Sequence, residues 1–286
     1  MRLSRRAFFR RAAAYSALPV VVGAYASQIE PFWLDIHEKQ VSIAGLPPAF
    51  DGMRIAQITD LHIDERIPLG YLRRVVERVN AAKPDLVCVT GDIVNHAIEW
   101  IDRSVDVLSK LEAPVVVSFG NHDYAPNTAR PGPVTIIATP LQMKLEEAGC
   151  IVLRNRAAVL ERSGQKLWFV GIDDLWSDSF SPIDAFAGVE RGAVSICLSH
   201  NPDSSEHVVR FGPKLILAGH THGGQLRLPL IGALILPIVD RRFDQGLFEL
   251  ENGCQMYVSR GVGFLLRARF CCRPELPIFV LRGRSA

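Results

Sequence analysis

No apolar stretch in the 286-residue chain is long enough to span a bilayer comfortably. The N-terminal run from Ala12 to Ala26 is 15 residues, broken by Pro19 and Gly23, where a crossing helix needs about 20. No two of the six cysteines (Cys88, Cys150, Cys197, Cys254, Cys271, Cys272) form a Cys-x-x-Cys pair, which argues against a thiolate zinc cage. Cys88 and Cys197 sit inside apolar runs and read as buried, inert thiols. There is no repeat, low-complexity tract or linker, so one domain is expected. Charge excess is small: 32 Lys+Arg against 30 Asp+Glu. The first 26 residues hold five arginines and no acid, which leaves 27 basic against 30 acidic residues beyond them. A nucleic-acid binder carries its basic surface on the folded part, so nucleic acid is not expected as the main partner. What remains is 48% apolar and 22% charged, an ordinary globular mixture that excludes wholesale disorder and a multi-span membrane protein.

The N-terminus reads Ser4-Arg5-Arg6-Ala7-Phe8-Phe9-Arg10, then the apolar run, then Ala24-Tyr25-Ala26. A charged start, a short apolar middle and a small-residue end make a secretory signal. The paired arginines resemble a twin-arginine signal. Residues 1–26 are therefore expected to be an export signal or, if uncleaved, an anchor, with residues 27–286 as the folded domain. The expected location is the periplasm or cell envelope, with association to a membrane surface.

Apolar strands alternate with helical patterns along the chain. Ile29 to Ile43 reads as a first strand and Met53 to Thr59 as a second. Leu69, Leu72, Val75, Val76 and Val79 keep helical spacing over 68–82, and Pro84 ends that helix. Asp85 to Thr90 is a strand, Ile98 to Leu111 a helix, and Pro114 to Phe119 a third buried strand. Such uninterrupted strands between helices predict a layered α/β core. A helix over 139–148, short strands at 151–153, 157–160 and 167–170, and strands at 194–198 and 215–218 follow. The C-terminal part is β-rich.

Five of these strands end in polar clusters: Asp60-Leu61-His62, Gly91-Asp92, Gly120-Asn121-His122-Asp123, Ser199-His200 and Gly219-His220-Thr221-His222. In an open α/β sheet, ligands bind beyond the carboxyl ends of the strands, so clusters distant in sequence converge there. They hold five of the eight histidines, which solvated surface histidines would not do. Aspartate, histidine and an asparagine carbonyl are oxygen and nitrogen ligands. They are too many for one ion with open positions, but two divalent ions about 3.5–4 Å apart would use them, with one carboxylate bridging.

With these motifs the sequence resembles the calcineurin-like metallophosphoesterases, across roughly residues 51–225 and in family order. Gly-Asn-His-Asp and Gly-His-Thr-His are each expected by chance in about one chain in a thousand of this length; together and in order they are specific. Gly-His-Thr-His-Gly-Gly-Gln (219–225), Ser259-Arg260-Gly261-Val262-Gly263 and Arg273-Pro274-Glu275 look like the exported, phosphodiesterase-like subgroup. The resemblance implies a four-layer sandwich of two β-sheets flanked by helices. It implies that Asp60, His62 and His222 bind one metal, that Asn121, His200 and His220 bind the other, and that Asp92 bridges. It places His122 over the phosphate as a catalytic group, with Asp123 orienting it. The cofactors implied are two divalent ions (manganese, iron or zinc), and the reaction is in-line attack by a metal-bridging hydroxide on a phosphoester, with diesters favoured. Two alternatives are a pyrophosphohydrolase of a nucleotide-linked lipid (UDP-2,3-diacylglucosamine-like) and a non-catalytic scaffold; scaffolds usually drop ligands, and this chain keeps every one. Oligomeric state is not legible.

Other residues read more plainly. His37, His96 and His207 lie outside the motifs. Asn95 reads as a loop residue and Asp173-Asp174 as a turn. The run 226–239 is apolar, broken by Pro229 and Pro237, and 264–270 mixes apolar and basic residues. These two segments form either an exposed greasy lip suited to a lipid-like phosphoester or packed core turns.

Overall fold

The computed structural model describes residues 19–124 and 136–284. The paired arginines Arg5 and Arg6 lie outside the described residues. Residues 19–24 are helical and run into a π-helical turn, Tyr25–Ile29, and a 3-10 turn, Glu30–Phe32. No helix among the described residues is long and apolar enough to cross a membrane. The strand expected from Ile29 begins later, as β1 (Asp35–Ala44). Pro31 lacks the N–H a ladder needs and suits the first positions of a helical turn. The buried Glu30 carboxylate accepts the backbone N–H groups of Cys271 and Cys272, which holds that turn against the C-terminal loop.

The chain continues through β2 (Arg54–Ile58), α1 (Leu69–Ala81), β3 (Leu86–Thr90), α2 (Ile101–Leu108), β4 (Val115–Ser118), α3 (Ala138–Glu147) and β5 (Ile151–Val152). Then come β6 (Arg156–Arg162), β7 (Gln165–Gly171), α4 (Pro182–Phe186), β8 (Ser195–Leu198), α5 (Ser205–Val208) and β9 (Leu215–Ala218). A small hairpin, β10 (Arg227–Leu228) and β11 (Gly232–Ala233), precedes β12 (Gly246–Glu249), β13 (Gln255–Val258) and β14 (Glu275–Arg284). Two six-stranded sheets result, ordered β1-β14-β2-β3-β4-β5 and β12-β13-β9-β8-β7-β6. β2, β3, β4 and β5 pair in parallel, as do β7, β8, β9 and β13; antiparallel pairings lie toward the edges.

Side-chain alternation makes the layers. In β3, Val87 and Val89 pack toward α1, α2 and α3, while Leu86 and Cys88 pack toward the second sheet. In β9, Leu215 and Leu217 face the first sheet, and Ile216 and Ala218 face the opposite side, where Ala185 and Val208 of the short helices pack. Helices, sheet, sheet, helices is the expected four-layer α/β sandwich. Both faces of the central strands β2, β3, β8 and β9 are covered, which is why they carry no polar alternation. Gln57 is the exception. It is fully buried between the sheets, and its amide donates to Thr90 Oγ1 and to the Ala218 carbonyl, both at 2.9 Å. It pins β2 to β9 beneath the strand ends where the polar clusters lie. All six cysteines are free, with Cys88 and Cys197 buried as expected.

Candidate metal centre

The carboxyl ends of β2, β3 and β4 in one sheet, and of β8 and β9 in the other, open onto the same crevice. The loops after β2 and β3 continue their parallel pairing past the strands: Asp60 N–H donates to the Gly91 carbonyl (3.0 Å) and His62 N–H to the Asp92 carbonyl (2.9 Å). Asp60, His62, Asp92, His220 and His222 all have φ between +45° and +69°. Left-handed backbone at non-glycine residues costs about 1–3 kcal/mol each and persists only where its surroundings over-determine it. The sharp turns fold each side chain back over the strand ends. Glycines make room for this: a Cβ on Gly120 would overlap Asp92 Oδ1, and one on Gly219 would overlap Thr59 and Asp60.

Six of the seven sequence-predicted ligands converge here: Asp60, His62, Asp92, His200, His220 and His222. Asp60 Oδ1 lies 3.3 Å from His222 Nε2, 3.8 Å from His62 Nε2 and 4.0 Å from His200 Nε2. Asp92 Oδ2 lies 3.1 Å from His200 Nε2, 3.4 Å from His62 Nε2 and 4.0 Å from His122 Nε2. Three triads have converging ligand atoms: Asp60–His62–His222, Asp92–His200–His220 and His62–Asp92–His122. The first two lie within the two ligand sets expected from the sequence.

Backbone partners choose which nitrogen of each ring faces the centre. His200 Nδ1 meets the Thr90 carbonyl at 2.7 Å, which turns Nε2 inward. His220 Nε2 meets the Pro237 carbonyl at 3.0 Å, which leaves Nδ1 for the centre. Fixing one ring nitrogen on a carbonyl is how metal-binding imidazoles are held.

These groups fit cations on two further observations. The Asn121 side-chain oxygen is buried without a hydrogen-bond partner, and so is His200 Nε2, which is close to Asp92 but not aligned with it. His62 Nε2 and His222 Nε2 approach to 3.0 Å; one ring donates its N–H to the other there, and a cation between them would replace that proton. Electrostatics agree. Burial works to raise both carboxyls, but His222, His62 and His200 outweigh it at Asp60, and His200 and His122 outweigh it at Asp92, so both are held well below the usual carboxylate range. Burial pushes His122 down to about 3 and His220 down to about 4, and it holds His222 well below the usual imidazole range. His200 resists burial because Asp92 holds it protonated, well above that range. Two buried carboxylates ringed by mostly neutral imidazoles form a negative nest that suits divalent ions.

The surroundings of His122 differ from expectation. Asp123 does not meet it. Its Oδ1 accepts the Ile93 and Val94 N–H groups (2.8 and 3.0 Å) and its Oδ2 accepts the Gly120 N–H (3.0 Å), so it ties the loop after β3 to the loop after β4. Burial, aided by Asp92, pushes its carboxyl up to about 7. The partner of His122 is Asn95, whose Oδ1 lies 2.8 Å from Nδ1. The Asn95 amide donates in turn to Asp64 Oδ2 (2.8 Å), and Asp64 is gripped by Arg66. The His96 ring packs on His122 at 3.6 Å between centroids. The only sequence signal for Asn95 was its place three residues after Asp92. Nothing in the sequence pattern singles out Asp64, two residues past His62. Behind His222 sits Arg269, fully buried, donating to the carbonyls of Arg260, Gly263 and Cys272. Asp173 pairs with Arg154, and Asp174 opens a turn whose Trp176 meets His220 edge-on at 4.5 Å.

A family model described as calcineurin-like phosphoesterase matches residues 53–224. The chain belongs to the calcineurin-like phosphoesterase family. Among curated relatives, the metallophosphoesterase YkuE of Bacillus subtilis is 31% identical over 294 residues, covering 99% of each chain. The phosphodiesterase YaeI of Escherichia coli is 34% identical over 283 residues, covering 98% of this chain and 99% of its own. The UDP-2,3-diacylglucosamine pyrophosphatase LpxG of Chlamydia trachomatis is 28% identical over 308 residues, covering 91% and 93%. Membership makes the chain a metal-dependent phosphoester hydrolase, with His/Asp clusters that could hold the metals.

Proposed function

We propose that the chain is a dinuclear phosphodiesterase of the cell envelope. The observation that carries this is the pair of buried carboxylates, Asp60 and Asp92, each with three imidazole Nε2 atoms within 4.0 Å of one oxygen. Asp60, His62 and His222 would hold one cation and Asn121, His200 and His220 the other, with Asp92 within reach of both sets. Bound there, two divalent ions neutralise charge on the phosphoryl oxygens and ease deprotonation of a water. His122 faces the substrate through Nε2. Burial keeps the resting ring neutral, with its one proton on Nδ1 donated to the Asn95 oxygen, and Nε2 takes up a second proton from solvent when the anionic phosphate binds beside it. That proton passes to the leaving oxygen.

The E. coli relative's activity favours a diester. The chlamydial relative favours a second reading, a pyrophosphate linking a nucleotide to a lipid. Export supports the first, because nucleotide sugars are mainly cytoplasmic; the paired Arg5-Arg6 ahead of an apolar run is the basis for export.

The test is elemental analysis of natively produced chain, then turnover of an aryl phosphodiester, an aryl monophosphate and a lipid-linked pyrophosphate with that metal restored. Close to two ions per chain and diester turnover lost in Asp92→Ala are expected. No stoichiometric cation under manganese, iron or zinc loading, or equal turnover by Asp92→Ala, overturns the reading.

A further inference from the structure

The segment after the last two candidate ligands does not pack into the core. Around the hairpin of β10 and β11, Leu230, Ile231, Leu234, Ile235 and Val239 are all exposed, Leu230 completely and Val239 at 91%. A second tip, Leu265 and Leu266, is exposed beside it, while Phe264 and Arg269 at its base are buried. One hydrogen-bonded seam joins the two. Leu226 bridges Phe270, the Gln225 side chain accepts from Leu265 N–H, and it donates to the Leu266 and Ala268 carbonyls. The N-terminal helix joins the same seam: Arg269 N–H donates to the Ala26 carbonyl, and the Arg267 guanidinium to Ser27 and Gln28. Val20, Val21 and Val22 of that helix are exposed too.

We propose that this rim, the 226–239 hairpin with the 265–266 tip, docks the protein on an anionic lipid bilayer with the metal centre facing the headgroups. Three features favour a bilayer over a protein partner. The apolar residues stand on loop tips rather than in a groove or on a flat face, a shape that inserts into the boundary between headgroups and acyl chains. Exposed arginines flank them: Arg241 and Arg242 beside the hairpin, Arg267 and Arg66 beside the second tip. Arg242 is paired with Asp240, but Arg241 and Arg267 donate to neutral groups and keep their charge for anionic headgroups. The exposed Val20, Val21 and Val22 add a second apolar element on the same seam.

The rim is also wired to the centre. The Pro237 carbonyl of the hairpin holds His220, and the Leu265 carbonyl accepts from Arg66, which grips Asp64 behind Asn95 and His122. Docking would therefore present the phosphoester of a membrane amphiphile to the site. That consequence rests on the hydrolase reading; docking itself does not.

The test uses the full chain and vesicles containing dibrominated phosphatidylglycerol. The emission that Ile231→Trp adds over the parent chain's four tryptophans should be quenched by about half, while the increment from Val159→Trp, on the edge strand β6, should be unaffected. Leu230→Ser/Ile231→Ser should lower turnover of a phosphoester held in vesicles about tenfold and leave that of a soluble aryl diester within about twofold. Absence of quenching at position 231, whether or not the chain sediments with vesicles, overturns the proposal. So does a self-association abolished by the double serine variant without quenching, because a second copy would then cover the rim. Quenching without hydrolysis of any phosphoester by metal-loaded chain leaves docking standing and overturns the hydrolase reading instead.

Discussion

The carbonyl of Pro237 holds Nε2 of His220 at 3.0 Å. One backbone oxygen of an exposed hairpin thus fixes the tautomer of an imidazole in the buried centre, and it leaves Nδ1 as the donor atom.

His220→Gln removes that donor. Metal content should fall from about two ions per chain to about one, and diester turnover should fall about 100-fold or more. Elemental analysis of purified chain checks the first and steady-state kinetics the second. Unchanged stoichiometry would remove His220 from the ligand set.

Asn95→Ala frees His122 Nδ1 without touching a ligand. Turnover should drop about 10–100-fold with metal content intact. The double variant Asn95→Asp/Asp64→Asn should keep both contacts, with donor and acceptor exchanged between positions 95 and 64, and, by placing a carboxylate on the ring, raise the His122 pKa from its buried value of about 3. The alkaline limb of the pH–rate profile should then move to higher pH, an effect a purely structural asparagine would not produce.

Asp174 makes stability depend on pH. Burial raises its carboxyl to about 6, against about 3.9 in an unfolded chain. Between those values the folded state binds more protons, so stability falls as pH rises through the window and the cost is complete above it. Asp174→Asn removes that cost, about 3 kcal/mol at pH 7 and close to none at pH 4. Urea midpoints at the two pH values measure the difference.

Gly219→Ala should fail for want of space. Its methyl group would enter the position of Thr59 Oγ1 and the Asp60 carboxylate, costing about 1–3 kcal/mol of stability and displacing the proposed ligand Asp60. Thermal unfolding and metal content should both decline; normal metal binding in the variant would show that Asp60 is not needed there.

The ends of β2, β3, β4, β8 and β9 are legible because each is a short apolar run that stops at a polar cluster; β9 begins and ends where its pattern does. The four-layer arrangement followed from the resemblance, and the packing of Leu86 and Val87 on opposite faces of β3 bears it out. The first strand was read too early, because the turn at Pro31 is stabilised by Glu30 reaching the backbone of Cys271 and Cys272, some 240 residues away. The partner of His122 is hidden from the sequence for a similar reason. Asp123 is its neighbour in sequence, but the turn Asn121–Asp123 points the carboxylate back at the N–H groups of the preceding loops.

The sequence by itself determined which side chains gather, because strand length and the glycines at strand ends are local properties that fix where each cluster emerges. Only the tertiary structure decided which nitrogen of His200 and His220 looks inward, that Asn95 steadies His122, and that the 226–239 run lies open to its surroundings. Those outcomes depend on carbonyls, amides and buried surface contributed by other strands and by the second sheet. No periodicity along one segment encodes contacts made across the gap between two sheets.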